Sequence, residues 1–252
     1  RVLTVSSLIF VAVILVSFFS RNSDSNVLGY DEAIYVMSSI GHYETTKIFE
    51  KNNSILNAIE TGVTRTSEAP GIFLLLNLWG KISMEETWLR LLPFIFLVTS
   101  LFSVSYIAQK LRLSGYLCIL FSMVPLLSSM VIHHSLELRS YGMEVCFNFL
   151  AFIFSYRLIN DLGKGPVIVH WLVLSLVMIV GLSSRWSFVI AYAGIMLCVL
   201  YEILMQRKVI GRNLTYFGLF NIIIFSYFLF IFFITSNRNN FSINKFIRIE
   251  FQ

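Results

Sequence analysis

The chain has 252 residues, of which 57% are hydrophobic and 13% charged, with 24 phenylalanines and a formal charge of +5. Soluble domains run at about 45–50% apolar and about 25% charged, so a water-soluble globule is excluded and lipid is the solvent that remains. The positive charge is small and scattered, which excludes a nucleic-acid face built on clustered Lys and Arg.

An apolar run needs about 20 residues to cross a hydrocarbon core of about 30 Å. The first such run is 3–20, and a long, more polar stretch, 21–87, follows it. Within that stretch Tyr30, Ile34, Met37 and Gly41 mark one helical face. Asp31, Tyr35, Ser38 and His42 repeat the spacing one position on and give a polar face. Ile55, Leu56 and Ile59 predict a second short helix. The run 71–82 opens after Pro70, which suits a helix start, but it is about a dozen residues long and carries Asn77. Further spans are predicted at 88–109, 113–132, 141–159, 166–184, 187–205 and 214–235. The 3 cysteines, Cys118, Cys146 and Cys198, all sit in apolar runs without metal-ligand spacing and read as small buried hydrophobes.

Orientation follows from cations. If 71–82 does not cross and the N-terminus is cytoplasmic, the inner loops hold Arg1, Lys110, Arg112, Arg157, Lys164, Arg207, Lys208 and Arg212 against only Asp161 and Glu202. That is the positive-inside pattern. If 71–82 did cross, Arg207, Lys208 and Arg212 would face outward, so 71–82 is placed as an interfacial helix in the outer leaflet. The expected fold is an all-α polytopic membrane protein, one module over 1–252, with seven transmembrane helices and amphipathic juxtamembrane helices in the external loop 21–87.

Four polar clusters then fall on the outer side: Tyr30-Asp31-Glu32-Ala33, Glu68-Ala69-Pro70-Gly71, His133 through Tyr141, and Ser183-Ser184-Arg185-Trp186. Carboxylates and cations converging at one membrane face suit a substrate with an anionic, lipid-linked head. Each cluster also has a plainer reading. Asp31 and Glu32 at a helix start complement the helix dipole. His133 and His134 would point in different directions on a helix, which favours interfacial hydrogen bonding over joint metal ligation. Arg139 and Arg185 can snorkel to lipid phosphates. Arg185, in a very short turn between two long apolar runs, is the cation whose position most needs an anionic partner.

Read in order, these stretches resemble the membrane-bound glycosyltransferases of the GT-C superfamily, in particular the bacterial and archaeal relatives of dolichyl-phosphate-mannose protein mannosyltransferases and of the lipid A aminoarabinose transferase. Tyr30-Asp31-Glu32-Ala33-Ile34-Tyr35 looks like the family's Asp-Glu-Ala motif. Glu68-Ala69-Pro70-Gly71 through Trp79 looks like its Pro-Pro-Leu helix, and Glu86 through Pro93 resembles the opening of its next span. Leu138-Arg139-Ser140-Tyr141-Gly142 resembles its Ala-Arg-Pro-Tyr stretch, and Gly181 through Ser187 its Gly-x-x-x-His-Tyr stretch. Gly71 replaces the second Pro, Ala69 stands where the lipid A enzymes have Lys, and Arg185 replaces the usual His.

The resemblance implies a glycosyltransferase that moves a monosaccharide from a polyprenyl-phosphate donor to a hydroxyl or similar acceptor on the outer side of the membrane. It implies Asp31 as catalytic base, or as metal ligand with Glu68 if a divalent metal ion takes part. Glu32, Glu68, His134, Arg139, Tyr141 and Arg185 are the expected substrate-binding residues, with Arg139 and Arg185 neutralising the departing phosphate. Family members continue past residue 252, so the chain reads as the N-terminal part of a longer polypeptide. Two other classes fit the residues: a lipid-linked-sugar flippase, and a non-catalytic subunit with this fold. Charges almost wholly at span ends, with Glu144 only one turn inside, favour a one-sided surface site over a transport path, which would need ionisable residues near mid-membrane.

Overall fold

The computed structural model describes residues 13, 16–17, 30–40, 55–66, 68–114, 117–118, 120–121, 137–162, 167–205 and 210–236. Every regular element among the described residues is an α-helix. In chain order these are α1 (Tyr30–Ser39), α2 (Ile55–Thr66), α3 (Gly71–Gly80), α4 (Glu86–Lys110), α5 (Ser140–Asp161), α6 (Ile168–Ser184), α7 (Phe188–Met205) and α8 (Ile210–Ser236).

Four of them, α4, α5, α7 and α8, are long and apolar enough to cross a bilayer, with 25, 22, 18 and 27 residues. Only 22% of the most apolar stretch of α7 and of α8 is buried. Ile190, Leu197, Ile222 and Phe233 therefore point away from the protein, into what must be hydrocarbon. This makes the chain a membrane protein. The spans expected at 88–109, 141–159, 187–205 and 214–235 coincide with these four helices. The span expected at 166–184 coincides with α6, a shorter apolar helix of 17 residues. Those expected at 3–20 and 113–132 lie largely outside the described residues.

The long helices pack around α5, which lies between α4 and α6 and also touches α7, while α8 packs on α6 and α7. Their core is built on Trp171, which stacks on Phe220 with centroids 5.9 Å apart and meets Phe217 edge-on at 6.1 Å. The three short helices gather against one another at one end. α3 follows Pro70 and buries Ile72, Phe73 and Leu76. Its ten residues rise about 15 Å, too little to cross a bilayer. Asn77, the polar interruption in that run, donates from Nδ2 to the Ser39 carbonyl at 2.8 Å and so ties α3 to the end of α1. Phe73 stacks on Tyr35 at 5.3 Å.

Two contacts lock α3 in place. Trp79 and Trp88 stack with centroids 4.6 Å apart, and each indole N–H donates to the other residue's carbonyl, at 2.8 and 3.1 Å. At the other end, a Cβ on Gly71 would lie 2.6 Å from the Ser183 carbonyl oxygen, so the backbones of α3 and α6 meet where only glycine fits.

α1 departs from its expected faces. Tyr35 and Ser38 are buried at 8% and 0% exposure, but Asp31 of the same stripe is exposed, and Met37 of the apolar stripe is 44% exposed. The inward face is instead Glu32, Tyr35, Val36, Ser38 and Ser39. The physical reason is an ion pair: Glu32 is drawn inward by a buried arginine on α4.

Candidate functional site

That arginine is Arg90, one turn inside α4 and 4% exposed. Its Nη1 and Nη2 donate to the two Glu32 carboxylate oxygens at 3.0 Å each, and its Nε donates to Glu86 Oε1 at 2.9 Å. The Leu138 amide also donates to Glu32 Oε1, at 3.2 Å. Planar two-point pairing of this kind fixes both distance and orientation. Glu32, expected to bind substrate, thus has its oxygens turned into the protein, where they hold α1 against α4 and against the segment leading into α5.

With Glu32 anchored, the neighbouring Asp31 points outward with 56% of its side chain exposed. It forms an ion pair with Arg139, the residue that precedes α5 in extended conformation. Arg139 also lies 3.7 Å from Glu137 Oε2. Burial pulls the Arg139 guanidinium downward in pKa, but Glu137 and then Asp31 more than offset it, so its pKa is raised above the ordinary value.

A second carboxylate stands behind this pair. Glu68, just before Pro70 and α3, accepts a 2.7 Å bond from the Ser140 hydroxyl on its Oε2. The Arg185 Nε lies 3.8 Å from that same oxygen. Tyr35 is close enough to Glu68 to bond to it; burial first, and then the Glu68 charge, push the phenol well above its ordinary pKa. Tyr35 is therefore a neutral donor facing a carboxylate.

Arg185 forms the opposite wall. It caps α6 in extended backbone and begins the turn whose Arg185 carbonyl accepts from the Phe188 amide at 3.2 Å. Gly181 makes this turn possible, because a Cβ there would sit within 2.2 Å of the Phe188 ring. The guanidinium carbon lies 4.1 Å from the centroid of the Tyr141 ring, a cation–π contact that fixes its plane. Its Nη1 is 3.8 Å from Glu144 Oε2, and Glu144 accepts from the Ser187 hydroxyl.

The first turn of α5 thus gathers Asp31, Glu68 and Arg185 through Arg139, Ser140, Tyr141 and Glu144. Of the residues expected from sequence, Asp31, Glu68, Arg139, Tyr141 and Arg185 come together, and Glu32 supports them from beneath. His134, with His133, lies outside the described residues. Tyr35, Ser140, Glu144 and Arg90 were not singled out from sequence as site residues. Arg90 carried a signal, a lone arginine within an apolar span, which demands a partner.

The possible metal pair, Asp31 and Glu68, each face an arginine, and no group of three or more His, Cys, Asp or Glu side chains suited to a metal is found among the described residues. Both carboxylates are thus engaged by arginines, and no step through a metal is derived from them.

Beside the polar cluster lies an apolar cavity of about 310 Å³, lined by residues that include Pro70, Gly71, Val180, Ser183, Tyr227 and Ile231. Ser183 and Tyr227 hydrogen-bond across its wall. The chain matches no family model, no curated protein and no solved structure.

Proposed function

We propose that this chain is a glycosyltransferase module that transfers a sugar from a polyprenyl-phosphate donor to a hydroxyl acceptor at the outer membrane face. The observation that carries the reading is the pairing of two carboxylates, Asp31 and Glu68, with two arginines, Arg139 and Arg185, at one end of an apolar helix bundle. Beside it, the 310 Å³ apolar cavity offers room for part of a lipid tail. The stretches that resemble GT-C motifs include these same residues.

In this reading Asp31 takes the proton of the acceptor hydroxyl, whose oxygen attacks the anomeric carbon from the face opposite the phosphate. The bond between that carbon and the phosphate oxygen breaks, and the polyprenyl phosphate leaves with the electron pair, inverting the anomeric centre. Arg185, with Arg139 beside Asp31, takes up the charge that develops on the phosphate. A placed general base contributes about 10²–10⁴-fold, and fixed cations at the leaving oxygen contribute several kcal/mol more. Glu68 holds Ser140, Tyr35 and Arg185 in register.

The seven-span arrangement belongs to this proposal, and the direction of the helices supports it. α4 and α5 both begin at the site end, since Arg90 and Ser140 each reach into the short helices. The end of α4 at Lys110 and the start of α5 at Ser140 therefore lie at opposite ends of the bundle.

The test is sugar transfer from a synthetic polyprenyl-phosphate donor by detergent-purified full-length protein. Asp31→Asn is expected to cut transfer by a hundredfold or more with donor binding retained. Glu32→Gln, by contrast, is expected to act through loss of folded protein. Transfer by Asp31→Asn at the unmodified rate overturns Asp31 as base.

A further inference from the structure

At the end of the bundle away from the site, Tyr106 on α4 collects cations. The Arg157 Nε donates to the Tyr106 hydroxyl at 3.2 Å, and its guanidinium carbon lies 5.2 Å from that ring and 5.8 Å from the ring of Phe154. The Lys110 ammonium lies 5.3 Å from the same Tyr106 ring, and Arg112 follows in the next turn of chain at φ 53°. All three cations are exposed. Among the described residues none of them pairs with a carboxylate. Asp161, one turn beyond Arg157, turns to His170 Nε2 at 3.3 Å instead, and Glu202 on α7 meets none of the three. Aromatic faces hold a cation in place without neutralising it, so an anionic partner is still missing here.

A second, independent feature starts at the same spot. An open apolar groove of about 630 Å³ runs between α4, α5 and α7, lined by Ile107, Phe152, Tyr156, Ile159, Gly194 and Cys198 among others. Ile107 adjoins Tyr106, and Tyr156 adjoins Arg157. Along α5 the groove reaches from Ile159 to Asn148, a rise of about 16 Å. That is half of the roughly 30 Å hydrocarbon core, the depth of a single leaflet. A transmembrane partner helix would need a groove of the full thickness. Gly194 opens directly into it, with nothing within 4 Å of where a Cβ would stand.

We infer that this groove and the Lys110–Arg157 cluster form a binding site for one anionic phospholipid of the far leaflet, with its phosphate on the cations and an acyl chain in the groove. The juxtaposition of unneutralised cations with a one-leaflet apolar groove selects a lipid over a soluble phosphate or a protein helix. It is separate from the donor site, which lies at the opposite end of α5.

The probes are dioleoylphosphatidylglycerol and its zwitterionic phosphatidylcholine counterpart, added to delipidated full-length protein and counted by native mass spectrometry. The unmodified protein is expected to retain phosphatidylglycerol at least tenfold better. Lys110→Gln with Arg157→Gln should lower that affinity by about fivefold per cation removed and leave phosphatidylcholine unchanged, while Arg157→Lys should keep most of it. Gly194→Leu, whose Cβ would have nothing within 4 Å, should weaken both lipids with the melting temperature unchanged. Equal retention of the two lipids, or full phosphatidylglycerol affinity in the double variant, overturns the phosphate assignment. An unaffected Gly194→Leu variant overturns the acyl-chain assignment.

Discussion

Arg90 grips Glu32 through two parallel bonds of 3.0 Å inside the protein, 58 residues apart in sequence. This pair decides the geometry of the site without belonging to it. Because Glu32 is drawn in, Asp31 is turned out. Breaking a buried pair by removing one partner costs about 3–5 kcal/mol, and Arg90 is the partner that also holds Glu86. Arg90→Ala is expected to lower the melting temperature of the detergent-purified protein sharply. The double change Arg90→Met with Glu32→Leu should recover most of that loss, as replacing a whole buried pair with apolar groups is often near neutral. A double variant no more stable than Arg90→Ala would show that the pair is not a closed unit.

Arg185 should separate shape from charge. Its plane is set by the Tyr141 ring at 4.1 Å, and a lysine at 185 would keep the charge but not the fork. Arg185→Ala is expected to weaken binding of the polyprenyl-phosphate donor about tenfold or more, with Arg185→Lys recovering only part. Equal donor affinity in all three proteins would reduce Arg185 to a snorkelling residue.

Tyr35 gives a dependence on pH. Its folded-state pKa is raised, first by burial and then by Glu68, so the folded protein holds this proton more tightly than the unfolded chain does. The resulting stability is fully present below the unfolded tyrosine value of about 10 and is lost as pH rises beyond it. Relative to Tyr35→Phe, the unmodified protein should lose melting temperature from about pH 10 upward and show a constant difference below about pH 9. A difference that stays flat through pH 11 would mean that Tyr35 is open to solvent.

Asn213, near the start of α8, is completely buried, and among the described residues neither its amide oxygen nor its nitrogen has a hydrogen-bond partner. A buried polar group left unpaired costs about 1–3 kcal/mol. Asn213→Leu, close in volume, is expected to raise the melting temperature. An unchanged or lower value would show that Asn213 is satisfied in the membrane, by water or by another chain.

The proposed orientation is open to a labelling test. A cysteine at Glu85, exposed at the site end, should react with a membrane-impermeant thiol reagent added to intact cells, and one at Arg112 should not. The reverse pattern would invert the topology.

Much of the bundle was legible because crossing a bilayer is a simple demand: a run of the right length with no charges reads the same way wherever it packs. Four predicted spans correspond to long helices for that reason, and α3 is short because its run is short. The faces of α1 were not legible. Periodicity marks a polar stripe but not what it meets: Tyr35 faces inward because the bundle end there is itself polar, supplied by Glu68, Ser140 and Arg139, the last two from far along the chain. Convergence of Asp31, Glu68, Arg139 and Arg185 could be anticipated from topology alone. Their pairings, and the part played by Ser140 and Glu144, depend on the α5 start and the α6–α7 turn meeting side by side, which spacing within one segment does not encode.

The stacked Trp79 and Trp88 carry a use of their own. Two indoles 4.6 Å apart and 10° from parallel couple electronically, so the near-ultraviolet dichroism of the protein should contain a band that neither tryptophan gives alone. Since the pair joins α3 to α4, a few residues from the clamp that sets the site, that band is an optical gauge of whether the short helices stay seated while a lipid enters beside them.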